Sequence, residues 1–132
     1  CYDIRFPSLY TELADRGARL ITVSASWGAG PGKLEQWTLL ARARALDSTC
    51  FIAAAGQAYP GDALANASKA PTGVGGSLVA SPLGEIVASA GADPQLVVTD
   101  LDIDRVASVR ETLAVLRNRS EFAHIDRAES PR

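Results

Sequence analysis

The spacing of apolar residues changes several times along the chain, and each change marks an element. Leu9, Tyr10, Leu13 and Ala14 recur at helical spacing behind Pro7, whose ring presets the backbone angle of a first helical turn. A short helix is expected from about Ser8 to Ala14, stopped by Gly17. Leu20-Ile21-Thr22-Val23-Ser24-Ala25 then reads as a buried strand rich in β-branched residues, so Cys1 to Ala25 is strand end, helix, strand.

The breaker-rich loop Ser26–Gly32 leads into Lys33–Ser48, where Leu34, Trp37, Ala41 and Ala45 share one helical face. Glu35, Arg42 and Asp47 fall on the other face with Arg44 to one side, as in an amphipathic surface helix. A strand-like run opens at Cys50 and continues through Phe51-Ile52-Ala53-Ala54-Ala55, after which Tyr59–Gly76 reads as a long loop. Ser77–Ser81 and Glu85–Ser89 flank Pro82-Leu83-Gly84 and predict a hairpin. Gln95–Asp100 predicts a further strand, and Asp104–Leu116 a second amphipathic helix with Val106, Val109, Leu113 and Leu116 on one face. The chain turns polar from Arg117. The pattern predicts an α/β fold, a mixed sheet with helices on one face, and leaves the sheet's other face in need of a missing half or a second subunit.

Composition narrows the functional classes. The chain has 132 residues, 47% of them apolar and 21% charged, which fits one globular core. Thirteen Lys and Arg against fifteen Asp and Glu give a net charge of −2 with no basic run, which argues against a nucleic-acid partner. No apolar stretch approaches the roughly 20 residues of a membrane span, and a cytoplasmic location is expected. Cys1 and Cys50 are the only cysteines, too few for a disulfide framework. Cys50 reads as a small buried hydrophobe. No Cys/His/carboxylate grouping has metal-ligand spacing, and Gly28-Ala29-Gly30-Pro31-Gly32 lacks the Lys-Ser/Thr ending of a phosphate loop, so neither metal nor cofactor is expected.

The candidate chemistry is at Cys1. A thiol placed where a strand turns sharply into a helix is exposed and close to backbone N–H donors that can hold an oxyanion. The run Cys1-Tyr2-Asp3-Ile4-Arg5-Phe6-Pro7 resembles the nucleophile motif of the nitrilase superfamily of carbon-nitrogen hydrolases, in its amidase-like branches. The segment Trp37–Asp47 with its Arg42-Ala43-Arg44-Ala45 centre, Gly75-Gly76-Ser77, the Ser81-Pro82-Leu83-Gly84 turn and Leu113–Arg119 also sit in that family's order, so the resemblance covers residues 1–119 and leaves 120–132 as a polar tail. Ser8 stands where the family usually has Glu, and Gly76 where it often has His.

The resemblance implies half of an α-β-β-α sandwich and three catalytic groups: a Cys nucleophile, a Glu general base and a Lys that stabilises the tetrahedral intermediate. Cys1 would attack a small amide and form a thioester, the backbone N–H of Tyr2 would be one oxyanion donor, and Trp27 would line the substrate pocket. The family's Glu and Lys precede the Cys in sequence. This chain is therefore expected to be the C-terminal part of such an enzyme, inactive alone, and to form a homo-oligomer or to pair with an N-terminal half. None of Lys33, Lys69, Glu12, Glu35, Glu85, Glu111, Glu121 and Glu129 is placed by the pattern to substitute, and His124, the only histidine, falls in the tail. Tyr2-Asp3-x-Arg5 favours an amidase or carbamoylase over a nitrile-cleaving enzyme. Two alternatives stay open: an N-terminal-nucleophile hydrolase in which the α-amino group serves the Cys1 thiol as base, and a non-enzymatic truncated or pseudoenzyme half-domain.

Overall fold

The computed structural model describes residues 1–67 and 70–120. Lys69, Glu121, His124, Glu129 and nearly all of the expected tail lie outside the described residues. A 3-10 turn over Tyr2–Arg5 follows Cys1, and then come α1 (Pro7–Asp15), β1 (Leu20–Ala25), α2 (Lys33–Ser48), β2 (Phe51–Gly56), α3 (Asp62–Ala67), β3 (Leu78–Ala80), β4 (Ile86–Ser89) and α4 (Arg105–Thr112).

The strands form one mixed sheet in the order β1-β2-β3-β4. β1 and β2 run parallel, in register from Leu20 opposite Phe51 to Ala25 opposite Gly56. That pairing needs a crossover, which α2 supplies. β2 and β3 are antiparallel, as are β3 and β4, the hairpin the Pro82-Leu83-Gly84 signal predicts. Side-chain alternation sorts β1 strictly: Ile21, Val23 and Ala25 are buried, while Leu20, Thr22 and Ser24 are exposed. The buried set packs with Trp37, Ala41 and Ala45 of α2, with Ile52 and Ala54 of β2, and with Leu78 and Ala80 of β3. α1 packs against α2 through a core that includes Tyr10 and Ala14. No helix among the described residues is long and apolar enough to cross a membrane.

The fold departs from the sequence expectations at five places. The residues after Cys1 form a 3-10 turn, not a strand end passing directly into a helix. Arg44 does not lie on the surface: it is 6% exposed, its Nε donates to the Ile4 carbonyl at 2.7 Å, and it pairs with Asp47. The expected loop Tyr59–Gly76 contains α3, because Ala63, Leu64, Ala65 and Ala67 are helix formers and Asp62 favours the positive end of the first turn. Pro60, Gly61 and Asn66 masked that signal. Gln95–Asp100 is not a strand. Its alternation persists, with Leu96 85% and Val98 83% exposed and Val97 half-buried, but the segment pairs with no strand among the described residues. The last helix ends at Thr112, four residues early, where the Thr112 hydroxyl bonds back to the Val109 carbonyl at 3.1 Å and Leu113 leaves helical geometry.

At the far end of α2, Thr49 takes a left-handed conformation at φ 50°, costly for a β-branched residue. Arg110 of α4 compensates: its Nε donates to the Thr49 hydroxyl at 3.0 Å and its Nη2 to the Ala18 carbonyl at 2.9 Å. Cys50 is buried beside this cluster, its sulfur donating to the Ala18 carbonyl at 3.1 Å.

Gly75 has φ +68°, and a Cβ there would lie 2.5 Å from Ala92 Cα and 2.5 Å from the Gly91 carbonyl oxygen, both backbone atoms that cannot swing aside. Gly75→Ala should cost about 2–4 kcal/mol, whereas Gly17→Ala, at φ +97° with open space around it, should cost about 1 kcal/mol. Urea unfolding midpoints of the two variants compare them directly.

Burial raises the Tyr10 phenol above its ordinary value, with the Arg44 guanidinium opposing part of that shift. The folded chain therefore holds the phenol neutral. The stability this contributes is complete below the unfolded value near 10 and drains as pH rises through the raised folded value. Tyr10→Phe should accordingly flatten the loss of stability above about pH 10, as read from thermal melts between pH 8 and 11.

Candidate active site

Parallel strands present the ends of their backbones, and the loops beyond, at their carboxyl edge, where open α/β sheets usually bind ligands. At that edge of β1 and β2 lies a cleft of about 410 Å³ lined by Cys1, Ser24, Ala25, Ser26, Ala55, Gly56 and Gln57. A groove of about 550 Å³ bounded in part by Pro7, Leu46, Leu113 and Arg119 is larger, but no thiol lines it. Size alone therefore does not locate the chemistry.

Two contacts fix Cys1 at the cleft. Its backbone nitrogen donates to the Ser24 carbonyl at 3.1 Å, and its sulfur lies 3.6 Å from the Ser26 carbonyl oxygen. Cys1 is exposed, so the thiol is within reach of a small molecule. The turn behind it is held by the fully buried Ile4, whose carbonyl accepts from Arg44. Tyr2 opens this turn, where helical geometry leaves the first N–H groups without intrahelical acceptors.

The rim is held by its own contacts. The Ser26 hydroxyl donates to the Pro71 carbonyl at 2.8 Å, tying the segment after α3 to the end of β1. The Gln57 N–H donates to the Ala25 carbonyl at 2.7 Å and its carbonyl accepts from Gly75 N–H at 2.8 Å. Gly56 fits because a Cβ there would fall 2.4 Å from the Gly75 carbonyl oxygen.

Cys1 lines the cleft and Tyr2 follows it in the turn without lining the cleft, while Trp27 is 4% exposed and turns its ring into the core against Trp37, with centroids 5.5 Å apart. Sequence reasoning did not single out Ser24, Ser26 or Gln57. Their signal was positional, the first polar residues at the carboxyl ends of two adjacent parallel strands. No side chain of the cleft lining carries a carboxylate or an ammonium group. Among the described residues no group of three or more His, Cys, Asp and Glu could hold a metal ion.

Comparison with known proteins agrees with the fold and with the order of the motifs. A hydrolase of Mycobacterium tuberculosis is 70% identical over 98% of this chain, which spans 48% of that protein. The deaminated glutathione amidase of Escherichia coli O157:H7 is 37% identical over 90% of the chain, which spans 41% of that enzyme. The chain therefore spans about half the length of these curated relatives, or less. The crystal structure of the Caenorhabditis elegans NitFhit protein superposes with a TM-score of 0.77 and 30% identity, covering 90% of this chain and 27% of that one. The carbon-nitrogen hydrolase family model matches residues 1–111, and the chain belongs to that family, within the nitrilase superfamily.

Proposed function

We propose that the chain supplies the nucleophilic part of an amidase-type carbon-nitrogen hydrolase that acts through a cysteine thioester. The observation that carries this reading is an exposed thiol fixed at the mouth of a cleft at the carboxyl edge of two parallel strands, on a turn whose first N–H groups have no intrahelical acceptor. In that arrangement the Cys1 sulfur attacks the carbonyl carbon of a small amide, and the backbone N–H of Tyr2 donates to the oxygen as it becomes negative. The C–N bond then breaks, the nitrogen leaves with the proton taken from the thiol, and water hydrolyses the thioester to the acid. The amidase named among the relatives supports amides as the substrate class.

Two proton transfers in this sequence need a general base and acid. The cleft lining offers hydroxyls and an amide but no ionisable group besides Cys1, and the resemblance to the family calls for a Glu and a Lys from residues that precede the cysteine. We therefore read the chain as the C-terminal portion of the catalytic unit, completed by an N-terminal half or by association with another chain. The exposed side of β1, with Leu20, Thr22 and Ser24, is a face on which such a partner can pack. We place the activity in the cytoplasm, where a reducing environment keeps Cys1 and Cys50 as free thiols.

Iodoacetamide should alkylate Cys1 of the folded chain and spare the buried Cys50 until denaturant is added, with mass mapping of the labelled peptides as the readout. Failure of Cys1 to label would remove the nucleophile from this scheme. The chain alone should hydrolyse simple amides at least 10³-fold more slowly than an intact relative, because members of a catalytic triad act as a unit. Ammonia release measured side by side tests this, and comparable rates would show that the remaining groups lie within these residues.

A further inference from the structure

Trp27 follows Ser26 directly, and two separate segments, the turn that carries Cys1 and helix α2, converge on its side chain. The guanidinium carbon of Arg5, at the end of the turn that carries Cys1, lies 4.9 Å from the Trp27 ring centroid. The indole N–H donates to the carbonyl of Lys33, the first residue of α2, at 2.9 Å. Its other ring neighbour is Trp37 of α2, whose own N–H donates to the Gly76 carbonyl at 2.9 Å beside the rim of the cleft. The ring is buried and does not line the Cys1 cleft, yet the residue on its N-terminal side supplies the carbonyl that meets the Cys1 sulfur.

A planar guanidinium seated on an indole face couples two backbones only while both surfaces are present and flat. Here the coupled backbones are the Tyr2–Arg5 turn and the Ser26–Trp27 corner, the two pieces that fix Cys1 from either side. We infer that Trp27 is a positioning residue for the Cys1 nucleophile, acting through Arg5 and through the Ser26 carbonyl and not by contact with substrate. This inference rests on the reading of Cys1 as nucleophile.

The test measures the rate at which iodoacetamide, itself a small amide, labels Cys1 in the whole chain, with the buried Cys50 as an internal monitor of folding. Trp27→Leu removes the seat and should slow Cys1 labelling about tenfold, since small misplacements of a nucleophile are costly in rate. Trp27→Phe keeps a ring face and should restore the rate to within about threefold. Arg5→Lys keeps the positive charge but loses the flat stack, and should slow labelling as Trp27→Leu does, which separates positioning from electrostatics. Because Arg5 is exposed, that variant decides the matter if Trp27→Leu unfolds and exposes Cys50. Parental labelling rates in Arg5→Lys, or in a Trp27→Leu variant whose Cys50 stays protected, would overturn the inference while leaving the nucleophile in place. An unreactive Cys1 in the parent chain would instead overturn the nucleophile and this inference together.

Discussion

The hydrogen bond from Arg44 to the Ile4 carbonyl is the contact on which the rest of the site depends. Four residues of 3-10 helix cannot hold themselves in water, since so short a helix never recovers the cost of its nucleus. The turn behind Cys1 is ordered because Ile4 is driven completely into the core and its carbonyl, buried with it, finds a guanidinium. A buried carbonyl without a donor would cost about 1–3 kcal/mol. A buried guanidinium without partners would cost more, and here Asp47 and the Ile4 carbonyl supply them, with the Tyr10 ring 5.9 Å away. Arg44 thereby ties the turn that follows Cys1 to the helix that bridges β1 and β2.

The same arrangement accounts for what lies on the two sides of the sheet. α2 occupies the face on which Ile21, Val23 and Ala25 point inward, and it presents Trp37, Ala41 and Ala45 to them. The other side of β1 carries Leu20 and two hydroxyl residues in the open, and the segment around Leu96 and Val98 exposes apolar side chains without joining the sheet. Apolar area left in water in this way costs about 25 cal/mol per Å². The chain also spans about half the length of its curated relatives. The described residues themselves contribute one mixed sheet, the helices packed on it and the cleft that Cys1 lines.

The sequence was most legible where one periodicity governs a whole element. β1, α2, β2 and the hairpin appear in the structure close to where apolar spacing and turn residues placed them, because each buries a face at its own period. It was least legible where a tertiary contact overrides the local pattern. Arg44 looked like a surface residue because helical spacing cannot reveal that a distant carbonyl needs a donor. The strand expected at Gln95–Asp100 has the right alternation, but a strand also requires a neighbouring edge, and no local signal encodes one. Helix α3 was hidden by its punctuation, with Pro60-Gly61 before it and Asn66 near its end. The cleft was legible at Cys1 through its motif, whereas Ser24, Ser26 and Gln57 acquire their place only once β1 and β2 are paired in register.

That register also sets what the cleft around Cys1 is made of. Pairing Ala25 with Gly56 brings Ser26 and Gln57 to the same level beyond the strands, so the floor of the cleft is built from small residues and backbone groups. Such a floor can position a substrate and donate or accept hydrogen bonds, but serine hydroxyls and a primary amide do not exchange protons readily near neutral pH. The nearest carboxylate in sequence, Asp3, belongs to the turn itself, and Glu35 lies on the exposed face of α2. The described residues thus place the Cys1 thiol in a cleft whose other lining side chains carry no strong acid or base.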